Sequence, residues 1–182
     1  MSVVATPDVW LIRHGETKWI VSRRHTGLTN LPLTAAGEKQ VRALRRRMQM
    51  VRFMRVFNSP LQRAARTCEL AGCGLVAEVD KDLVEWNYGD YEGKRRQEIL
   101  ADRPGWIVFR DGCPNGESPA DVAARAERFI SRIRTTAGDM AVFSSGSFSR
   151  GVDSSVARFR CVCRSLFQAR NRSAVGPWIR SR

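Results

Sequence analysis

The chain has 182 residues and a mass of 20.5 kDa, with 43% of its residues hydrophobic and 27% charged. This size and balance predict one globular domain with at most a small appendage, and they exclude a disordered or collagen-like chain. No stretch reaches the roughly 18 consecutive apolar residues of a membrane span, and the N-terminus lacks a secretory signal pattern. Five irregularly spaced cysteines suit a reducing compartment, so we expect a cytoplasmic protein with no membrane partner.

The net charge of +13 is concentrated towards the C-terminus. Asp153 is the last acidic residue, and residues 154–182 contain seven arginines and no acid. A basic excess is typical of nucleic-acid binders, which makes an arginine-rich nucleic-acid-binding protein one interpretation. Nothing beyond charge supports it, because the aromatic residues are not interleaved with the basic ones as stacking on bases requires. We therefore expect no nucleic-acid partner.

Short apolar runs alternate with amphipathic segments along the chain. The apolar runs predict four strands, at residues 9–12, 56–57, 77–79 and 140–143. Periodic apolar positions predict three helices, the first with Thr34 as its N-cap, at residues 35–48, 61–70 and 121–133. Residues 86–93 contain many turn formers and predict an ordered loop. The alternation predicts an α/β fold, a three-layer αβα sandwich with a mostly parallel central sheet.

Polar side chains that suit a phosphate ester follow the ends of three predicted strands. Arg13 and His14 follow the first strand, Arg63 the second, and Ser145-Gly146-Ser147 the fourth. In parallel sheets, ligands bind beyond the carboxyl ends of the strands. Arginines bind phosphate oxygens bidentately, a neutral imidazole can attack phosphorus, and a carboxylate such as Glu85 can protonate the leaving oxygen. An Arg-His pair is more often an ordinary surface feature, and spacing alone does not decide between the two.

Five blocks between residues 9 and 150 resemble, in order, the motifs of the histidine phosphatase superfamily, in its phosphoglycerate mutase-like branch. The first two blocks are 11–19 (LIRHGETKW) and 24–37, which contains RHTGLT and LPLTAAG. The other three are 58–67, which begins NSPLQRA and ends at Thr67, 83–93 (LVEWNYGDYEG) and 111–118 (DGCPNGES). The chain is therefore identified as similar to this family over most of its length.

The resemblance implies a role for each matching residue. His14 would be the nucleophile that carries the phosphoryl group, and Glu85 would be the acid–base. The phosphate would be bound by Arg13, Arg63 and Gly146. The mouth of the substrate site would be lined by Thr26 and Gly27. No cofactor and no metal are implied, and the expected partner is a small phosphorylated substrate of the sugar-phosphate type, hydrolysed without a metal through a phosphohistidine.

One departure from the family lies at the catalytic site. Where members have His-Gly-His, this chain has Ser145-Gly146-Ser147 with matching flanks. Serine is shorter and carries no positive charge, and the loss of one transition-state donor typically costs about 3–4 kcal/mol. We expect Ser145 to occupy the catalytic position and to weaken the reaction. The alternatives are an inactive phosphate-binding pseudoenzyme and a phosphoglycerate mutase-type phosphotransferase.

The second departure is the sequence after about residue 151. Family members continue with a helix and a strand of the type LGTAxLSVLGY, whereas residues 167–180 of this chain read FQARNRSAVGPWIR. Codons that encode this segment permit the family strand when they are read one base later. We therefore favour a frameshift between about residues 150 and 166 over a genuine divergent basic tail. The expected organisation is a histidine phosphatase-like domain at 1–153, its sheet incomplete at the C-terminal part, and an aberrant, disordered or frameshifted segment at 154–182.

Overall fold

The computed structural model describes residues 8–146 and 158–161. Its strands are β1 (Asp8–Arg13), β2 (Arg55–Asn58), β3 (Ala77–Val79), β4 (Met140–Ser144) and β5 (Arg158–Cys161). Its α-helices are α1 (Lys18–Val21), α2 (Ala35–Gln49), α3 (Gln62–Leu70), α4 (Arg96–Asp102), α5 (Val108–Asp111) and α6 (Pro119–Ile133). The four predicted strands and three predicted helices are all present, and the α/β fold class is confirmed.

The strands form one parallel sheet in the order β3-β2-β4-β1-β5. In the register, Val9 of β1 lies beside Met140 of β4, and Val56 of β2 lies beside Ala141 of β4. Every residue of β4 is buried, as expected for a central strand covered by helices on both faces. Because the strands are parallel, their carboxyl ends meet at one edge of the sheet.

The fifth strand lies within the 154–182 segment that we expected to be aberrant and disordered or frameshifted. Residues 158–161 pair with residues 8–11 of β1, so this short stretch belongs to the sheet and is not disordered. It forms because β1 offers a second row of backbone groups on the side that faces away from β4. Ser147 and residues 154–157 and 162–182 lie outside the described residues, so the proposed frameshift between about residues 150 and 166 stays a prediction. The domain boundary at 153 stays a prediction.

Apolar side chains fill both faces of the sheet, as a three-layer sandwich requires. One face packs against α2 and α3, through the cluster Trp10, Ile12, Val41, Leu44, Met48, Val56, Cys68 and Phe143. The opposite face packs against α6, through Val9, Leu11, Phe57, Leu83, Ala126, Phe129, Ile133 and Val142. Each fully buried side chain of this size contributes about 1.5–3 kcal/mol to the stability of the fold.

Hydroxyl caps fix the starts of the two long helices. The Thr34 hydroxyl accepts a hydrogen bond from the Gly37 amide at 2.9 Å and donates one to the Glu16 carboxylate at 2.7 Å, which ties α2 to the turn after β1. Helix α6 begins at Pro119, earlier than predicted, because Ser118 and Asp121 cap each other's backbone amides at 3.2 and 2.8 Å. Both caps fix the helices relative to the sheet edge.

The predicted ordered loop at 86–93 contributes to a third apolar cluster beside the sheet edge. The buried side chains of this cluster are those of Trp86, Tyr88, Tyr91, Ile99, Trp106, Cys113 and Val122. The aromatic residues of the loop are buried, and Gly89–Tyr91 form a single turn of 3-10 helix within it. Among the described residues, no helix combines the length and apolar character that crossing a bilayer requires.

Candidate active site

A cavity of about 250 Å³ opens at the carboxyl ends of β1 and β4. Five of the residues predicted from the sequence line it, namely Arg13, His14, Thr26, Glu85 and Gly146. Four further lining residues had no assigned role: Ile20, Arg24, His25 and Tyr88. Arg24, His25 and Tyr88 belong to the same sequence blocks as the predicted residues, and Ile20 directly follows the first block; that proximity was the only signal that could have identified them.

His14 is buried and held as a neutral imidazole. Its Nδ1 lies 2.8 Å from the Gly15 carbonyl oxygen, which can only accept a hydrogen bond. Nδ1 therefore carries the proton, and Nε2 keeps its lone pair, which accepts from the Arg63 Nε at 3.2 Å. Burial, followed by the positive charges of Arg63 and Arg13, lowers the pKa of His14 from 6.5 to about 3. The ring is thus unprotonated at neutral pH, the state in which an imidazole can act as a nucleophile.

Arg63 is fully buried at the start of α3 and links three parts of the site. In addition to its contact with His14, its guanidinium donates to the carbonyl oxygens of Thr29 at 2.9 Å and Gly27 at 2.6 Å. Burial lowers the pKa of Arg63, and the carboxylates of Glu85 and Glu92 oppose that shift. A guanidinium nevertheless stays charged at any working pH. The structure therefore places a fixed positive charge directly against the His14 ring.

Thr67 joins α3 to the turn that carries His14. Its hydroxyl donates to the Arg63 carbonyl oxygen at 2.7 Å and accepts from the Gly15 amide at 3.0 Å. The side chain is completely buried. One hydroxyl thus fixes the position of His14 relative to Arg63.

A carboxylate holds the loop that follows His25. Glu92 accepts hydrogen bonds from the amides of Gly27 at 2.8 Å and Thr29 at 3.2 Å. A side chain on Gly27 has no room, since its Cβ would lie 2.3 Å from the Trp86 carbonyl oxygen. Gly27 is buried, and its carbonyl oxygen accepts a hydrogen bond from Arg63. Gly27, predicted to line the mouth of the site, is not among the residues that line the cavity. Sequence reasoning missed Glu92 because its partners lie more than sixty residues away along the chain.

Glu85 lines the cavity and is buried, and its carboxylate accepts from the Trp86 amide at 2.9 Å. The backbone around it is held from α6. Arg125 donates to the Val84 carbonyl oxygen at 2.7 Å and forms an ion pair with Glu117 at 2.8 Å. Glu117 in turn accepts from the Asn87 amide at 2.8 Å. The candidate acid–base therefore rests on a loop that is fixed on both sides.

The turn after β4 brings Gly146 against Arg13. A Cβ on Gly146 would lie 3.1 Å from the Arg13 Nε, so the absence of a side chain lets the guanidinium lie close to this turn. Ser145, predicted to be catalytic, is fully buried beside it and is not among the residues that line the cavity. The neighbouring Ser144 hydroxyl donates to the Leu83 carbonyl oxygen at 2.7 Å, which connects the end of β4 to the loop before Glu85.

The remaining wall of the cavity is aromatic and basic. The centroid of the His25 ring lies 4.7 Å from the ring centroid of Tyr88 and 5.4 Å from that of Trp106. Burial and the positive charge of Arg96 lower the pKa of His25, and Glu92 opposes them. Arg24 donates to the Gly93 carbonyl oxygen at 2.6 Å. Across residues 8–146 and 158–161, no three His, Cys, Asp or Glu side chains form a group that could hold a metal ion.

The protein is an α/β protein with a neutral histidine and several arginines at the carboxyl edge of its parallel sheet. This arrangement is suited to binding a phosphate group. Residues 9–157 match the family model of the histidine phosphatase superfamily (branch 1). The chain belongs to this family.

Similar proteins include two curated relatives. Sedoheptulose 1,7-bisphosphatase of Saccharomyces cerevisiae is 37% identical over 78% of this chain and 64% of its own length. An acid phosphatase of Mycobacterium tuberculosis is 38% identical over 78% of this chain and 71% of its own. The chain therefore spans somewhat less than two thirds of the yeast relative. A solved structure of an open reading frame product of Mycobacterium tuberculosis superimposes with a TM-score of 0.75, at 38% identity, covering 79% of this chain and 76% of that one.

Proposed function

We propose that the protein is a metal-independent phosphoric monoester hydrolase that acts on a small, sugar-phosphate-like metabolite through a phosphohistidine at His14. The observation that carries the proposal is the state of His14, a buried neutral imidazole whose Nε2 lone pair faces the Arg63 guanidinium. A phosphate group that took over the Arg63 Nε–H from His14 would lie next to the Nε2 lone pair. The family and the phosphatase names of two relatives support the same chemistry.

The reaction follows from the placement of the side chains. His14 Nε2 attacks phosphorus while the ester P–O bond breaks, and the leaving oxygen takes the proton of the Glu85 carboxyl group. Water then attacks the phosphohistidine, Glu85 accepts a proton from that water, and the P–N bond breaks to release inorganic phosphate. Arg13 and Arg63 neutralise the charge on the phosphoryl oxygens in both steps.

We propose further that Ser145 makes turnover slow. A histidine at this position would bring a long, charged donor to the phosphoryl oxygens, whereas a buried serine offers one short neutral hydroxyl. The burial of Ser145, outside the cavity wall, also favours a second candidate, a phosphate-binding protein without turnover.

Phosphoryl transfer to a second hydroxyl, as in a phosphoglycerate mutase, would use the same histidine, and relatives 33–34% identical are named as probable phosphoglycerate mutases.

Hydrolysis of p-nitrophenyl phosphate separates these candidates. We expect slow turnover by the wild-type protein, none by His14→Ala, and an increase of about 10²–10³-fold in Ser145→His. Equal background rates in all three proteins would leave only the phosphate-binding candidate. A sugar phosphate offered with a sugar acceptor tests the mutase, which would form a new phosphate ester instead of free phosphate.

The covalent intermediate provides an independent test. The chain has only two histidines, His14 and His25, so His25→Gln is a matched control. Brief incubation with a labelled phosphomonoester should give an acid-labile phosphoprotein in the wild type and in His25→Gln but not in His14→Ala. Label that survives in His14→Ala would contradict the assignment of the nucleophile.

A further inference from the structure

The amino edge of the sheet, opposite the catalytic cavity, carries exposed apolar side chains. The loops before the neighbouring strands β2 and β3 cross this edge. Met50 and Met54 lie on the first of these loops, and Leu75 and Val76 on the second. Met50 and Leu75 are almost wholly exposed, and Met54 and Val76 are more than half exposed. Single apolar residues are normal on a surface, but four large ones on two adjacent loops indicate a contact site.

The hydrophobic core does not use these four side chains. Along residues 50–54, exposed and partly buried positions alternate. Val51 and Phe53 pack against the cluster between the sheet and the helices α2 and α3, whereas residues 50, 52 and 54 face outward. On the second loop, Ala71 and Cys73 belong to the same cluster, and residues 75 and 76 do not. One set of loop residues therefore completes the core, and another set is presented to the surroundings.

Arginines lie beside these apolar side chains. Arg45, Arg46 and Arg47 belong to the end of α2, Arg52 lies on the loop that follows, and all four are exposed. The Arg45 Nε lies 3.3 Å from the position that a Cβ on Gly72 would take, so the end of α2 reaches the second loop. We use the name amino-edge surface for these four arginines together with Met50, Met54, Leu75 and Val76.

The positive charge of the amino-edge surface is not neutralised. Within the part of the chain that the structure describes, none of its four arginines forms an ion pair with a carboxylate. Arg42, earlier on the same helix, does form one, with Glu38 at 2.8 Å. The helix dipole favours cations in the last turn, which accounts for Arg46 and Arg47 but not for Arg52. The surface is therefore complementary to an anionic partner.

We propose that the amino-edge surface binds the protein to an anionic phospholipid bilayer. The negative potential of anionic headgroups attracts a cluster of basic residues on an amphipathic helix. Apolar side chains that project from separate loops can enter the boundary between headgroups and acyl chains, which strengthens such a contact. A nucleic acid would match the charge but would leave the apolar side chains in water. The catalytic cavity lies at the opposite edge of the sheet and would stay open to the aqueous phase.

A contact of this kind requires no membrane-spanning helix. The expectation of no membrane partner rests on the absence of long apolar runs in the sequence. The amino-edge surface is instead collected from separate segments between residues 45 and 76, which no run of consecutive residues records. The proposal goes beyond the proposed function, because binding to a bilayer does not depend on turnover.

Co-sedimentation of the full chain with lipid vesicles tests the proposal. One set of vesicles contains phosphatidylcholine alone, and the other contains phosphatidylcholine with about 30% phosphatidylserine. We expect binding to the vesicles with phosphatidylserine only, and weaker binding at high salt because salt screens the charges. A wild-type protein that does not bind the anionic vesicles would overturn the proposal.

Two double variants separate the charged from the apolar part of the contact. Arg46→Gln/Arg52→Gln removes two charges and should weaken binding to the anionic vesicles about 30-fold. Met50→Gln/Leu75→Gln keeps the charge and removes two of the apolar side chains, and should weaken binding about tenfold without changing its salt dependence. The replaced side chains are exposed, so both variants should unfold at the temperature of the wild type.

Matched controls carry the same kinds of change elsewhere on the surface. Arg95→Gln/Arg96→Gln also removes two exposed charges, at the start of α4, where Arg96 acts on His25 of the cavity wall. Val21→Gln/Val79→Gln replaces two exposed apolar side chains outside the amino-edge surface. Both controls should bind the anionic vesicles as the wild type does.

Three outcomes would contradict the proposal. Equal losses in the two arginine variants would show that net charge, with the basic C-terminal segment included, accounts for binding. Unchanged binding by Met50→Gln/Leu75→Gln would leave a contact of charges alone, as with a nucleic acid. A dimeric wild type that becomes monomeric in the same variant, measured by size-exclusion chromatography with light scattering, would show that a second copy of the chain covers the surface instead.

Discussion

His14 illustrates how burial sets the protonation state of a single side chain. His14 lies among apolar and cationic neighbours, so protonation would add a charge that neither water nor a carboxylate stabilises there. The same arginines that would bind the substrate phosphate keep the ring neutral. The His14 imidazole and the guanidinium groups beside it are therefore parts of one electrostatic arrangement.

The lowered pKa of His14 predicts how stability depends on pH. Its folded-state pKa of about 3 lies below the unfolded value of 6.5, so the unfolded chain binds more protons between these two values. The free energy of unfolding should therefore be unaffected by His14 above pH 6.5 and should fall as the pH drops towards 3, by up to about 1.4 kcal/mol per pH unit. Urea unfolding of the wild type and His14→Gln at pH 7, 5.5 and 4 measures this. The wild type should lose more stability than the variant, and parallel losses would contradict the assignment.

Thr67 provides a second test at the scale of one residue. Thr67→Val removes the hydroxyl that bonds the Gly15 amide and the Arg63 carbonyl oxygen, and should destabilise the fold by about 2 kcal/mol because a buried amide loses its acceptor. Thr67→Ser keeps the hydroxyl and should retain the geometry of His14. The turnover number and the thermal unfolding of both variants test whether the hydroxyl holds His14 in place. A serine variant as impaired as the valine variant would contradict this role of the hydroxyl, because serine keeps the hydroxyl and loses only the methyl group.

At the scale of elements, two clamps position the site from outside it. Glu92 fixes the loop at Gly27 and Thr29, and Arg125 of α6 fixes the backbone before Glu85. Each of these side chains holds a loop that carries a predicted site residue. The active site thus depends on long-range contacts as well as on the local turns after the strands.

Replacing Arg125 tests the second clamp. Arg125→Met removes the buried cation that pairs with Glu117 and the donor to the carbonyl oxygens of Asp82 and Val84, and should cost about 3 kcal/mol of stability. Turnover should fall further, since the backbone around Glu85 loses its support. Arg128→Met, on the same helix, removes only an exposed ion pair to Asp82 and should cost less than about 1 kcal/mol. Chemical denaturation and initial rates measure both effects, and similar values for the two variants would contradict the clamp.

At the scale of the whole molecule, the sequence predicted the sheet, its long helices and the residues at the strand ends. Periodicity and turn chemistry are local signals, and His14 and Arg63 each lie directly beyond a strand. The pairing of Arg125 with the loop before Glu85 spans about forty residues, and nothing local records it. The β-bridge between Arg24 and Arg95 likewise joins distant parts of the chain. Such pairings depend on how the elements pack, which a single sequence does not show.

The fifth strand extends the same reasoning to the edge of the sheet. Residues 158–161 pair with β1 along residues 8–11, which makes β1 an interior strand bonded on both sides. A chain that ends at Ala157 should therefore expose one edge of β1. At about 1 kcal/mol for each lost backbone hydrogen bond, the loss of stability should be about 2–4 kcal/mol.

Hydrogen exchange distinguishes this loss from a general weakening of the fold. In the full chain, the amides of β1 should exchange as slowly as those of β4, because β1 is an interior strand. In the shortened chain, the β1 amides that face β5 should exchange faster. The amides of β4 stay paired, because β4 lies between β2 and β1. Their exchange should therefore speed up only as far as the lower global stability requires. Slow exchange at every β1 amide of the shortened chain would show that β5 contributes nothing to the sheet. A selective loss along β1 would show that part of the basic C-terminal segment completes the fold that holds His14.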